Sequence, residues 1–289
     1  MLKKNLVKTG FLGHGLLLFL PIGNIRGNEP IDFMELQVNY QRSISDTGIV
    51  QLVDSSTYYA QPDLKEDFIP APQIQLNRNV SKFVKDFMRK ENEFLVKMKN
   101  KSLAHFDYMD SVLNKYGLPE ELKYLSIVES QLNPKAISKV GAKGMWQFMP
   151  VTARELGLKV TKTYDERLNA KKSTVAAAKY LKSLYGEFGD WLLVLAAYNS
   201  GPGTVLKAIK RSGSRNFWSL QYFLPAETRG HVKRFIGVHY YFEGTGSITT
   251  QTKAEAIAYQ KALDKHYLAI NEKLTSTDTT NVVVVKALK

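Results

Sequence analysis

The sequence predicts an all-α protein: one helical domain with an extended N-terminal arm and a short C-terminal tail. Apolar residues recur at helical spacing from Val80 to Phe242, and Gly, Pro and Asn cut that stretch into pieces of helix length. No strand-like alternation occurs before Val282 to Val285, which is too brief to build a sheet. With 289 residues, 44% of them hydrophobic and 23% charged, the chain can bury a sizeable core and is not a disordered polymer. It has no Cys, which excludes disulfides, thiolate metal sites, a cysteine nucleophile and a lipid-modified N-terminal cysteine.

Taken in order, residues 1–27 open with Lys3, Lys4 and Lys8, continue through the apolar run from Phe11 to Ile22 and end near the small residue Gly27. That order fits a secretory signal peptide, or an N-terminal anchor if it is not cleaved. The run is short for a membrane span, which takes about 20 apolar residues. Residues 28–77 carry scattered prolines (Pro30, Pro62, Pro70, Pro72) and little periodicity, so they read as a linker or an arm lying on the later domain.

The helical domain spans 78–245. Phe83, Phe87, Phe94, Val96 and Met98 among many charges predict one long amphipathic helix from Val80 to Lys101, and a second helix runs from Ala104 to Tyr116, where Gly117 stops it. Pro119 starts another helix at a first-turn position. Ala170 to Glu187, Trp191 to Tyr198, Gly203 to Arg211 and Pro225 to Phe242 supply the remaining helices. Residues 246–289 form a C-terminal helix, from Lys253 to Leu274, followed by a Ser/Thr/Asp linker and tail.

Forty Lys and Arg against twenty-seven Asp and Glu give a net charge of +13, which suits an anionic partner. Export would remove Lys3, Lys4, Lys8 and Arg26 and still leave a basic chain, and it makes intracellular nucleic acid a poor partner and an envelope polymer a better one. A basic helical nucleic-acid binder is further disfavoured because the Lys residues are dispersed rather than clustered.

The helix after Pro119 carries the most informative residue. Leu118, Leu122, Leu125 and Leu132 form a stripe, and the position that completes it is Glu129. Burial disfavours the charged form of a carboxyl group, so a Glu on such a face can keep a proton to donate. The same position also suits a Glu held by a Lys or Arg, or one capping the loop that begins at Asn133 and Pro134.

Three motifs follow in order: E-S-Q-L-N-P from Glu129 to Pro134, G-A-K-G-M-W-Q-F-M-P from Gly141 to Pro150, and A-A-Y-N-S-G-P-G from Ala196 to Gly203. With L-P-A-E-T-R from Leu224 to Arg229 they cover about Leu103 to Phe242. This pattern resembles the goose-lysozyme-like lytic transglycosylases. The resemblance implies a lysozyme-like helical domain that cleaves the β-1,4 bond between N-acetylmuramic acid and N-acetylglucosamine in peptidoglycan without water, in the periplasm or cell envelope, with membrane association through the N-terminus if that segment is retained. It implies Glu129 as the single catalytic acid and base, with Ser130 supporting the substrate or the carboxylate. It also implies Gln147, Met149, Tyr198 and Asn199 as substrate-binding residues, joined by Glu227 and His231. At the last position the family usually has a tyrosine, so His231 is a departure.

The chemistry agrees with that implication. Ordinary glycoside hydrolysis needs two carboxylates about 5 to 9 Å apart. Near the motifs Glu129 is the one convincing carboxylate; Glu155, Asp165, Glu166, Glu187 and Asp190 lie on polar stretches and read as solvated residues or caps. A lone acid suffices when the muramoyl C6 hydroxyl serves as the nucleophile and closes a 1,6-anhydro ring, a reaction that needs no metal, nucleotide or redox cofactor. A non-catalytic peptidoglycan-binding protein and a water-using muramidase are the alternatives.

Overall fold

The computed structural model describes residues 70–285, with side chains through Glu272. The leader or anchor read over 1–27 and most of the 28–77 arm lie outside the described residues. All described residues belong to one compact unit, Phe33–Lys289.

The last stretch of the arm packs on the domain: Ile74 is buried, and the Tyr259 hydroxyl donates to the Pro72 carbonyl at 3.4 Å. Asn77 then caps α1 (Arg78–Lys90), its side chain accepting from Asn79 N–H at 2.8 Å. The single helix expected from Val80 to Lys101 is two, because the chain bends at Glu91 (φ −101°, ψ 20°) before α2 (Asn92–Ser102). Val80, Val84, Leu95 and Met98 still face the core on both sides of the bend, so the apolar period runs through it unbroken. The bend lets both segments pack against the long helix near the end of the domain.

Helix α3 (Phe106–Lys115) leads to a 3₁₀ turn at Glu120–Tyr124 and to the short α4 (Leu125–Ser130). The four leucines are buried, Leu118 3% exposed and Leu122, Leu125 and Leu132 0% exposed, but they do not share one helix: Leu122 is in the 3₁₀ turn, Leu125 in α4, and Leu118 and Leu132 flank them. Helix α5 (Pro150–Glu155) was not anticipated; Pro150 sits in its first turn, where a missing N–H costs nothing. After the 3₁₀ turn Glu166–Leu168 come α6 (Ala170–Phe188), α7 (Trp191–Ser200) and α8 (Pro202–Ser212). The brief α9 (Phe217–Leu220) and the 3₁₀ turn Gln221–Phe223 lead to α10 (Ala226–Glu243).

Helix α7 is the centre. Trp191 through Ala197 are all buried, the pattern of a helix covered on every side, and α6, α8 and α10 pack around it. Its N-terminus is closed by Asp190, whose Oδ1 accepts from Leu192 and Leu193 N–H while Oδ2 accepts from Lys253 N–H. Helix α1 reaches α10 closely because Gly237 has no side chain; a Cβ there would run into the Phe87 ring.

Beyond the 3₁₀ turn Ile248–Thr250, α11 (Lys253–Val285) continues through the Ser/Thr/Asp stretch expected to be a linker. Adding residues to an existing helix needs no new nucleus, so weak helix formers can extend it. Among the described residues there are no strands, and the backbone bridges Ile137–Lys143, Lys143–Phe148 and Val160–Asp165 are isolated. No described helix is long and apolar enough to cross a membrane.

Candidate active site

Glu129 lies in the last turn of α4, one residue before the helix ends. The chain leaves through two successive left-handed residues, Gln131 (φ 56°) and Leu132 (φ 55°). Non-glycine residues adopt that conformation at a cost, and the compensation here is the full burial of Leu132 together with a bond from its N–H to the Ser126 carbonyl. The Lys101 ammonium donates to the Gln131 carbonyl at 2.7 Å, tying α2 to the same turn.

The loop 133–149 then folds back over the end of α4. Ser130 hydroxyl donates to the Met145 carbonyl at 2.7 Å and accepts from Asn133 N–H, so it pins the loop rather than the Glu129 carboxylate. Met145 and Trp146 are fully buried, and Trp146 Nε1 donates to the Thr174 hydroxyl at 2.9 Å. Gln147 is the third left-handed non-glycine residue (φ 50°), and its amide NH₂ donates to the Gly144 carbonyl at 2.7 Å. That leaves its carbonyl oxygen to receive a donor from a ligand. Met149 is 43% exposed, an available thioether rather than part of the core.

Sequence reasoning missed the brace beneath this loop. Arg167, 3% exposed, pairs with Asp165 at 2.7 Å and donates from Nη1 to the Gly141 and Phe148 carbonyls, both at 2.9 Å. Gly144 (φ 82°) passes so close that a Cβ would collide with the Arg167 carbonyl oxygen. Asp165 and Glu166 were expected to be solvated or to act as caps. Asp165 does cap, accepting from Arg167 N–H, but Arg167 also holds its carboxyl below the usual carboxylate range. Glu166 is 5% exposed, pairs with Lys172 at 2.5 Å and accepts from Lys159 N–H. The signal in the sequence was an Arg next to two acids, which does not by itself reveal that the guanidinium points inward.

From the other side come α7 and α10. Tyr198 hydroxyl donates to the Trp146 carbonyl at 2.8 Å; burial, then the Glu129 charge, pushes its phenol well up, so it remains a donor. Asn199 Oδ1 accepts from the Thr228 hydroxyl at 2.9 Å, a clasp between α7 and α10. Glu227 is exposed in the first turn of α10. One turn on, His231 Nε2 lies 2.8 Å from Glu129 Oε1. The His231 side chain is only 3% exposed against 13% for Glu129, so the imidazole stands behind the carboxyl group and is neither on the surface nor open to a ligand.

The structure thus gathers Glu129, Ser130, Gln147, Tyr198 and His231 around one loop and the end of one short helix, with Met149 and Glu227 exposed and Asn199 in the inter-helix clasp. Among the described residues no group of His, Asp and Glu is placed to hold a metal ion.

Residues 107–221 match the family model described as Transglycosylase SLT domain. Over 167 residues the chain is 40% identical to membrane-bound lytic murein transglycosylase D of Escherichia coli (strain K12), covering 51% of this chain and 36% of that protein. It is 46% identical over 84 residues to peptidoglycan transglycosylase gp16 of Escherichia phage T7, covering 28% of this chain and 6% of that protein. It is 34% identical over 122 residues to the soluble lytic murein transglycosylase of Salmonella typhimurium, covering 39% of this chain and 19% of that protein. The chain therefore spans about a third or less of the length of these relatives. The match to the transglycosylase domain covers the three motifs between Glu129 and Gly203, with Glu129 and the loop above it, and ends before Glu227 and His231.

Proposed function

We propose that the chain is a peptidoglycan lytic transglycosylase of the cell envelope, cleaving the β-1,4 bond between N-acetylmuramic acid and N-acetylglucosamine to leave 1,6-anhydro-muramoyl ends. The observation that carries this reading is a lone, reachable carboxyl group, Glu129, inside the stretch that matches the transglycosylase domain. Of the other carboxylates near the motifs, Asp165 and Glu166 are in ion pairs, Asp190 is in the α7 cap, Glu155 and Glu187 are exposed on helix surfaces, and Glu227, exposed in the first turn of α10, is assigned to sugar binding and not to proton transfer.

Glu129 protonates the bridging oxygen, which leaves with the N-acetylglucosamine. The resulting carboxylate takes the proton of the muramoyl C6 hydroxyl as that oxygen bonds to C1, and Glu129 is restored with no water consumed. The Gln147 carbonyl oxygen, the Met149 thioether and the Glu227 carboxylate contact the sugars, while Tyr198 holds the loop at the Trp146 carbonyl and Asn199 holds α7 to α10 through Thr228. The partner is the glycan strand. Membrane association, where it occurs, comes from the N-terminal segment.

The test is mass analysis of products from purified sacculi. The wild-type chain should release anhydro-muropeptides, and Glu129→Gln should keep the fold and sacculus binding while losing at least about 10² to 10⁴-fold in rate. Products heavier by one water would identify a muramidase and overturn the reading, as would near wild-type digestion by Glu129→Gln.

A further inference from the structure

The Glu129–His231 pair goes further than a lone acid. The imidazole touches the carboxyl group from behind, at 2.8 Å between Nε2 and Oε1, and is itself 3% exposed. Its other nitrogen, Nδ1, is buried and has no hydrogen-bond partner among the described residues. These facts constrain the tautomer. A proton on Nδ1 would be an orphaned buried donor, which folded proteins rarely tolerate, whereas a bare Nδ1 leaves only an unfilled acceptor. The neutral ring therefore carries its proton on Nε2, and that N–H points at Glu129 Oε1.

We propose that His231 is a positioning residue that reserves Oε1 as a hydrogen-bond acceptor and so confines the transferable proton of Glu129 to Oε2. The proposal rests on the function given above and assigns each oxygen of the acid a separate task. With Oε1 occupied by Nε2–H, the carboxyl proton sits on Oε2 and passes from there to the bridging oxygen. The resulting carboxylate keeps the charge-assisted bond at Oε1, and Oε2 takes the C6 hydroxyl proton as the new C1–O bond closes. His231 neither gains nor loses a proton in the cycle. It also does not touch substrate, which departs from the substrate-binding role its position suggested.

Two measurements test this. In ¹⁵N-detected NMR of the full chain, His231 should show the Nε2–H tautomer, with a Nε2 shift that moves when Glu129→Gln is introduced; an Nδ1–H tautomer would overturn the proposal. Kinetically, His231→Leu should lower kcat by about 10²-fold, the scale for losing one preorganised donor, with KM within about twofold. His231→Gln and His231→Tyr each return a donor and should recover most of that loss. A His231→Leu variant with wild-type kcat, or one that loses only KM, refutes the positioning role. Absence of glycan cleavage by the wild-type chain would instead strike the functional reading, while the NMR result would still decide the geometry.

Discussion

Helix α10 carries a buried histidine near each end, and the two do different work. His231 is 2% exposed and meets the Glu129 carboxyl group; His239, eight residues on, is 0% exposed and shares a hydrogen bond with Ser247 Oγ at 2.9 Å. Burial without a charged partner pushes His239 down to about 3, so it stays neutral at any working pH. Near it, at the far end of α10, Tyr124 hydroxyl donates to Glu243, and Glu121, whose Oε2 is buried, is pushed up to about 7 chiefly by burial, with the Glu243 charge adding to the rise. At the near end one carboxyl group remains accessible under a braced loop. The same residue type at similar burial is thus structural or chemical according to its partner and to whether solvent reaches that partner.

If the near end depends on the backbone path of the loop, its most sensitive point is Gly144. Gly144→Ala adds a Cβ against the Arg167 carbonyl and a side chain at φ 82°, so the loop must move off its brace. A displacement of about 1 Å at the reacting groups can cost about 10²-fold in rate. Sacculus digestion should fall by that order, with a lower melting temperature. Wild-type activity in Gly144→Ala would show that the loop path does not set the site.

The far end should respond to pH instead. A carboxyl group whose folded pKa is raised to about 7 binds a proton more tightly when folded, so its contribution is favourable below the unfolded value of about 4.5 and is lost as pH rises towards 7. His239 works in the opposite sense over part of that range, since its unfolded ring takes a proton below about 6.5 and its folded ring does not until about 3. The wild-type curve mixes both effects, and the difference between wild type and Glu121→Gln isolates one. Relative to wild type, Glu121→Gln should gain stability as pH rises from 5 to 8, on the order of 3 kcal/mol at most. Parallel melting curves across that range would remove Glu121 from the account, and activity per folded molecule should be unchanged.

Much of the near end was legible in the sequence because it is written in local patterns. The leucine stripe placed Glu129 on its helix, and the Gly, Pro and Asn breaks located α6, α7, α8 and α10. What escaped was long-range or geometric. The bend at Glu91 leaves the apolar period intact, so periodicity carries no trace of it. His231 lies 102 residues from Glu129, and nothing in the local sequence around an imidazole reveals that a carboxyl group faces it. Ser130 and Asn199 stood in the expected motifs, yet their side chains hold the Met145 carbonyl and Thr228. Side chains such as these support the site by fixing backbone and helices, a role that motif position does not distinguish from contact with sugar.

The smallest test concerns that distinction at the clasp between α7 and α10. Thr228 is 1% exposed, and its hydroxyl donates to Asn199 Oδ1 at 2.9 Å. Thr228→Val keeps the shape and removes the donor, leaving a part-buried acceptor whose loss is worth about 1 kcal/mol. In a chain of this size that corresponds to about 2 to 4 °C in melting temperature. If the clasp also positions Asn199 for binding glycan, KM for glycan should rise a few-fold with kcat nearly unchanged, because binding in ground and transition states weakens together. Thr228→Ser restores the hydroxyl and should restore both values. A fall in kcat at constant KM would instead place the α7–α10 clasp in the same unit as His231 and Glu129, and would make the near end of α10 one coupled device.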